Sequence, residues 1–196
     1  PNVAQPLTVI DDTQQAQTIT WSQTLGSRAF GVADLNLTAS TTSGLPISYL
    51  SSDSSVAKIV NGSGADDVNG TYLRVIGAGT ATITATQAGN GQYQAASPVA
   101  KSVTVTKANQ EIVTNGGSTT LPDLTKDNGD FEFIPAIKSR NSSTLADTSL
   151  SLSYTSSNSA VVEVTGSGTK LNPKGPGTAI ITVSQVGDST YNAASP

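Results

Sequence analysis

Strict alternation of apolar and polar residues is the dominant signal along this chain. Residues 80–86 read T-A-T-I-T-A-T, which places Ala81, Ile83 and Ala85 on one face of a strand and four threonines on the other. The same period of two recurs at Leu35 and Leu37, at Leu45, Ile47 and Tyr49, at Val103 and Val105, at Phe131 and Phe133, and at Leu150, Leu152 and Tyr154. Half-buried strands have this pattern, so the sequence predicts an all-β protein.

Clusters of glycine, asparagine and serine separate the alternating segments. They lie at residues 42–44, 61–64, 77–79, 115–117 and 127–129. Turn residues at these intervals between short strands are typical of Greek-key β-sandwiches.

The chain repeats itself. LPISYLSSDS is followed later by LSLSYTSSNS, GAGTA by GPGTA, and YQAASP by YNAASP; the pairs begin at 45 and 150, 77 and 175, and 93 and 191. At the last pair the offset is 98 residues, which is close to the size of one domain. We therefore predict two tandem sandwich domains, at 13–106 and 107–196.

The two copies differ in their loops and are joined tightly. The first copy carries about seven additional polar residues near 64–71 and the second about nine near 138–147, as expected of surface loops. The junction at residues 105–110, V-T-K-A-N-Q, contains neither glycine nor proline. It predicts a stiff connection rather than a flexible linker.

The final strand of the second copy has its counterpart at the opposite terminus. In the first copy the AASP motif continues into VAKSVTV at 99–105, whereas the second copy ends at Pro196 and the similar segment VAQPLTV stands at 3–9. Residues 1–12 are thus predicted to hold an unmatched terminal strand. It is either the last strand of a preceding domain in a longer array or a strand that inserts into the second domain of a neighbouring copy, with Val3, Leu7 and Val9 facing its core.

Composition excludes several functional classes. The chain has a net charge of −4 and no cluster of lysine or arginine, which argues against a nucleic-acid partner. Histidine, cysteine and methionine are absent, so the commonest general base, the thiolate nucleophile and the soft metal ligands are all missing. No apolar run is long enough for a transmembrane helix. We predict that the protein is not an enzyme and has no cofactor.

Calcium is the one metal for which the sequence offers candidate ligands. Asp11 and Asp12 form an acidic pair at a predicted domain edge, where their carboxylate oxygens suit calcium. Neither this pair nor the acidic residues 66, 67, 127 and 130 have the spacing of a calcium loop. The alternative is that these residues serve turn chemistry.

Several motifs resemble tandem bacterial immunoglobulin-like domains of surface and secreted proteins. They are QTITW at 17–21, GLPISY at 44–49, SSDSSVA at 51–57, GAGT at 77–80 and GNGQY at 89–93. The resemblance implies an immunoglobulin-like sandwich without a disulfide, with no catalytic residues and commonly with a spacer role. Trp21 has no aromatic counterpart in the second copy, where Thr114 takes its place, and we predict that it packs at a domain interface rather than lying exposed.

These features together predict a structural repeat of a bacterial extracellular or cell-surface assembly. It would act as a stalk spacer or a filament subunit, and its partners would be adjacent repeats or other copies of itself. The alternative is an adhesin or polysaccharide-binding module that holds a glycan or surface receptor with the loops at 64–71 and 138–147.

Overall fold

The computed structural model describes residues 14–62, 65, 67, 69–114, 137–166, 168 and 170–194. Within these ranges the chain forms short strands joined by turns, and no α-helix is present. The predicted all-β, β-sandwich class is confirmed. None of the described segments is a helix long and apolar enough to cross a membrane.

Contacts divide the chain into two compact units. The first contains Asp34–Arg74 and Thr80–Val103, together with the described part of the chain up to Gly26. The second contains Ser27–Ala33, Val75–Gly79 and the described residues from Thr104 onward. The domain limits derived from the repeat, at 12 and 106, stay a prediction.

The first repeat is built from two main sheets. Its strands are β1 (Ile19–Thr20), β2 (Gly26–Ala29), β3 (Leu35–Asn36), β4 (Ser40–Thr41), β5 (Ser48–Ser51), β6 (Ala57–Val60), β7 (Tyr72–Val75), β8 (Gly79–Gln87) and β9 (Ala96–Thr106). One sheet has the order β2-β9-β8-β5 and the other β3-β7-β6, while β1 pairs with β4 alone. In the larger sheet the consecutive strands β8 and β9 are therefore neighbours, and β5 lies on the other side of β8.

The core of the first unit follows the alternation seen in the sequence. Ala81, Ile83 and Ala85 on β8 are almost completely buried, as is Leu73 on β7 of the other sheet. Threonines occupy the opposite face of β8, which is exposed or half-buried. Burial of one strand face therefore supplies the main stabilisation of this unit.

Trp21 is buried rather than exposed, but its partners lie within the first unit and not at the domain interface that the sequence suggested. Its ring lies edge-on to Tyr49 with the centroids 5.5 Å apart, and the Nζ of Lys101 lies 5.6 Å from the Trp21 ring centroid. The indole Nε1 donates a hydrogen bond of 3.1 Å to the Oε1 of Gln23. The largest side chain of the chain thus has an aromatic partner, a cation and an acceptor, as a buried tryptophan requires.

The second repeat has a smaller set of described strands. They are β10 (Gln110–Thr114), β11 (Ile137–Asn141), β12 (Ser153–Ser156), β13 (Val162–Thr165), β14 (Lys170–Pro173) and β15 (Ile181–Ser184). These pair antiparallel as β10-β11, β12-β15 and β13-β14. Tyr154, Val162 and Leu171 form the buried cluster between the pairs.

The predicted insertion of the second repeat forms a hairpin that extends from β11. Arg140 pairs with Asp147 across it, and Lys138 makes an ion pair of 2.8 Å with the same aspartate. Asn141 is buried, and its Oδ1 accepts hydrogen bonds from the backbone N–H groups of Ser143 and Thr144 at 2.9 and 3.0 Å. One buried amide therefore organises the whole loop.

A left-handed backbone position recurs before β5 and β12, and the two repeats fill it differently. Gly44 has φ of 75° there, whereas the aligned Ser149 has φ of 57°. A residue with a Cβ carries a steric cost of roughly 1 kcal/mol in this region, which glycine avoids. The second repeat therefore contains backbone strain that the first lacks.

Replacing Ser149 with glycine is expected to raise the free energy of unfolding of the second unit by about 0.5–1 kcal/mol, because the strain is removed. The matched change Gly44→Ser should lower the stability of the first unit by a similar amount. Urea unfolding followed by circular dichroism measures both. A Ser149→Gly variant less stable than the parent would contradict this account.

Burial raises the pKa of Tyr49 and Tyr154 above the ordinary value for tyrosine. The folded state then keeps these phenols protonated at a pH where the unfolded chain ionises them. The free energy of folding that these protonated phenols contribute should be fully present below pH ~10 and should decline as the pH rises beyond it. Comparing urea midpoints at about pH 9 and 11 for the parent and for Tyr154→Phe tests this. The variant should lose less stability, and an equal loss would refute the assignment.

Candidate functional site

The first repeat is closed by pairing between its entering segment and its last turn. The backbone N–H of Gln15 donates to the carbonyl of Gln92 at 2.8 Å, and the N–H of Gln94 donates to the carbonyl of Gln15 at 3.0 Å. The two segments run parallel at Gln15 and Tyr93. We call this pairing, with the amide side chains described below, the closing patch.

The second repeat has the same closing patch. The N–H of Ala108 donates to the carbonyl of Thr190, and the N–H of Asn192 donates to the carbonyl of Ala108, both at 2.9 Å. Here too the segments are parallel, at Ala108 and Tyr191. Two copies that differ in loop length have thus kept one way of joining their first and last segments.

A buried pair of glutamines reinforces the patch in the first repeat. The Nε2 of Gln17 donates to the Oε1 of Gln87 at 2.5 Å and to the carbonyl of Gln94 at 2.6 Å. The Oε1 of Gln17 accepts from the hydroxyl of Ser43 at 2.5 Å. The Oε1 of Gln87 also accepts from the N–H of Gly89 at 2.5 Å. Every polar atom that these bonds use would cost free energy if buried without its partner.

The second repeat repeats the amide pair with one difference. The Nε2 of Gln110 donates to the Oε1 of Gln185 and, at 2.7 Å, to the carbonyl of Asn192. The Oε1 of Gln110, however, has no hydrogen-bond partner among the described residues. Thr148, which aligns with Ser43, donates instead to the carbonyl of Ser139 at 3.2 Å. The amide pair of the second repeat is therefore incompletely satisfied.

A tight turn presents the last segment of each repeat to the patch. In the second repeat the Oδ1 of Asp188 accepts from the N–H groups of Thr190 and Tyr191 at 2.7 and 2.8 Å. These hydrogen bonds lower the pKa of Asp188. Gly187 precedes it with φ of 76°, and a Cβ there would lie 2.5 Å from the carbonyl oxygen of Tyr191. Only glycine fits this position.

The edge of the larger sheet differs between the repeats. In the first, β8 lies between β5 and β9, and Val103 and Val105 on β9 have 0% and 2% of their surface exposed. Covered on both sides, Ala81, Ile83 and Ala85 are 1% exposed or less. The first repeat thus shows how the sheet is completed.

In the second repeat β15 is the counterpart of β8. Among the described residues it pairs with β12 only, in the register Ser153↔Ser184 to Ser156↔Ile181. Ile181 and Val183 on β15, and Ala179 two residues before the strand, are half-buried, although the aligned residues of β8 are fully buried. We call this side of β15 the open edge, because no described strand pairs with the backbone there and the core residues beneath it are only half-buried.

The residues predicted for assembly and for calcium all lie outside the described residues. These are Val3, Leu7, Val9, Asp11 and Asp12, and their roles stay predictions. The described parts of the chain contain no cluster of three or more side chains that could hold a metal. Asp67 serves a turn, because its Oδ1 accepts from the N–H of Asn69 at 2.8 Å.

Sequence reasoning missed the four buried glutamines. They carry no catalytic or binding motif, and a polar residue near a strand is ordinarily assigned to the surface. The signal that could have found them is recurrence: Gln87 and Gln185 are 98 residues apart, and Gln17 and Gln110 each stand two residues before an isoleucine.

Comparison with known proteins gives little further information. No family model matches this chain, and no curated protein matches it. Among solved structures it is similar to the crystal structure of human protocadherin-24 EC1-2 at 10% identity. That likeness covers 86% of this chain and 93% of the other, with a TM-score of 0.31, at which it carries no argument about function.

Removing the Gln87 side chain by Gln87→Ala is expected to lower the unfolding free energy of the first unit by about 1–3 kcal/mol, since buried donors lose their acceptor. Trp21 is the only tryptophan, so its fluorescence reports the first unit. Gln185→Ala should leave the Trp21 transition unchanged while weakening the second unit. The exposed Gln92→Ala is the control, and a Gln87→Ala shift no larger than that of the control would contradict the role of the pair.

Proposed function

We propose that this chain is a structural repeat of a bacterial extracellular or cell-surface assembly, of the bacterial immunoglobulin-like type, acting as a stalk spacer or filament subunit. The observation that carries the proposal is the closing patch, which both repeats build from equivalent residues. In a tandem array tension enters the first repeat through its first segment and leaves through β9, the strand that follows its last turn. The patch joins the first segment to the residues just before that strand.

The geometry of the patch suits it to tension. Its two segments run parallel, so pulling one toward the N-terminus and the other toward the C-terminus slides them past each other. Sliding loads the backbone bonds of Gln15 and the side-chain bonds of Gln17 together, whereas peeling would break them one after another. A spacer that keeps its length under tension needs this kind of resistance.

The rest of the described surface supports a structural role. Only 12% of the residues are charged, and outward strand faces carry threonine and serine. Ion pairs such as that of Arg74 and Asp34, at 2.6 Å, link neighbouring strands rather than converge on one place. Trp21, the residue best suited to stack on a sugar, is buried.

Pulling the whole chain from its two ends tests the proposal. We expect two separate unfolding steps, one for each unit. Gln17→Ala should make the first unit unfold at least about tenfold faster under the same load, which corresponds to about 1.4 kcal/mol of lost stabilisation. Single-molecule force spectroscopy measures the rates.

Exposed Gln92→Ala serves as the control and should behave as the parent chain. If Gln17→Ala also unfolds at the parent rate under load, the patch does not resist tension.

A glycan array probed with the immobilised chain tests the competing adhesin role. Specific binding that disappears in Leu145→Asp, at the exposed tip of the 138–147 hairpin, would favour the adhesin over the spacer.

A further inference from the structure

We propose that the open edge of β15 accepts residues 3–9 of a second copy of this chain as an added β-strand. The inference deepens the proposed function and rests on it, because it names the partner that would make the repeat cohesive. The added strand would occupy the place beside β15 that β9 occupies beside β8. Main-chain hydrogen bonds would supply affinity, and inward side chains would supply specificity.

The first repeat shows what the open edge requires. Beside β8, strand β9 buries Val103 and Val105 and leaves the alternate residues Ser102 and Thr104 exposed. An acceptable strand therefore needs apolar residues two positions apart with polar residues between them. Without such a strand, the core of the second unit keeps apolar surface in water at Ile181 and Val183.

Residues 3–9 meet that requirement. They read VAQPLTV, and the corresponding segment of β9, residues 99–105, reads VAKSVTV, so four of the seven positions are identical. Leu7 and Val9 correspond to the buried Val103 and Val105, and Thr8 corresponds to the exposed Thr104. The pattern thus directs the two largest apolar side chains toward the core of the acceptor.

Pro6 fits the same arrangement. It lacks a backbone N–H, so it cannot stand where that group must bond to β15. Its counterpart in β9 is Ser102, and four residues further on the carbonyl of Thr106 accepts from the N–H of Phe30, next to β2. Because N–H and C=O groups of alternate residues point to the same side of a strand, Ser102 faces β2 and not β8. A proline there removes no bond to β15.

The test is self-association of the full chain. Light scattering across a concentration series should show a mass that rises above the monomer value of 19.8 kDa. The double variant Leu7→Asp and Val9→Asp should stay monomeric, because a buried unpaired carboxylate is strongly unfavourable. Thr8→Asp, on the outward face of the same strand, is the matched control and should associate as the parent does.

Trp21 fluorescence confirms in each variant that the first unit is folded. A parent chain that is monomeric at every concentration, or a double variant that associates like the parent, would overturn the proposal. A monomeric parent whose second unit loses stability in the double variant would mean that the strand serves its own chain, which also contradicts a second copy as the partner.

A peptide of residues 3–10 added to the double variant gives an independent readout. Hydrogen exchange of the Ile181–Ser184 amides should slow by at least about tenfold. The same peptide with aspartate at positions 7 and 9 should have no effect. Absence of protection from the parent peptide would overturn the proposal, yet it would leave the pulling experiment on the closing patch unaffected, so the two can fail separately.

Discussion

The hydrogen bond between two buried glutamine side chains is the interaction on which each repeat depends. It connects the entering segment to the end of the strand that crosses the core, Gln17 to Gln87 in one case and Gln110 to Gln185 in the other. A buried amide is costly when its donors and acceptors are unpaired, so the bond between the two side chains favours one relative position of both segments. The backbone bonds of the closing patch and the glycine turn are all placed by it.

This arrangement compensates for a small core. Aromatic residues make up 5% of the chain, and alanine occupies positions on β8 that a larger residue fills in many sandwiches. With no cysteine in the chain, no disulfide joins the two sheets. Small side chains fit together in several ways, so their packing specifies one arrangement of the strands only weakly. The directional hydrogen bond between the glutamines adds that specificity. In the first repeat the hydrogen-bonded amides of Gln17 and Gln87 thus act in place of a cross-link.

Much of the fold could be predicted because the strand period is visible in the sequence. The alternation at Ala81, Ile83 and Ala85 predicted which face of β8 is buried. Trp21 was expected to pack at a domain interface, whereas its partners lie within the first unit. The sequences of β8 and β15 are alike, so only the comparison of whole repeats, in which the counterpart of residues 99–105 stands at 3–9, indicated that their neighbours differ. The burial of the glutamines was not predicted, because it depends on partners about 70 residues away in the sequence. A local sequence pattern does not contain that information.

The two amide pairs differ in how completely their polar atoms are hydrogen-bonded by described residues. Ser43 completes the amide of Gln17, while the hydroxyl of Thr148 bonds to Ser139 and the Oε1 of Gln110 has no partner among the described residues. In the proposed array, stronger and weaker repeats would therefore alternate. Under rising tension the weaker repeats would open first and release their folded length, which would dissipate a sudden pull before the stronger repeats are loaded to their limit.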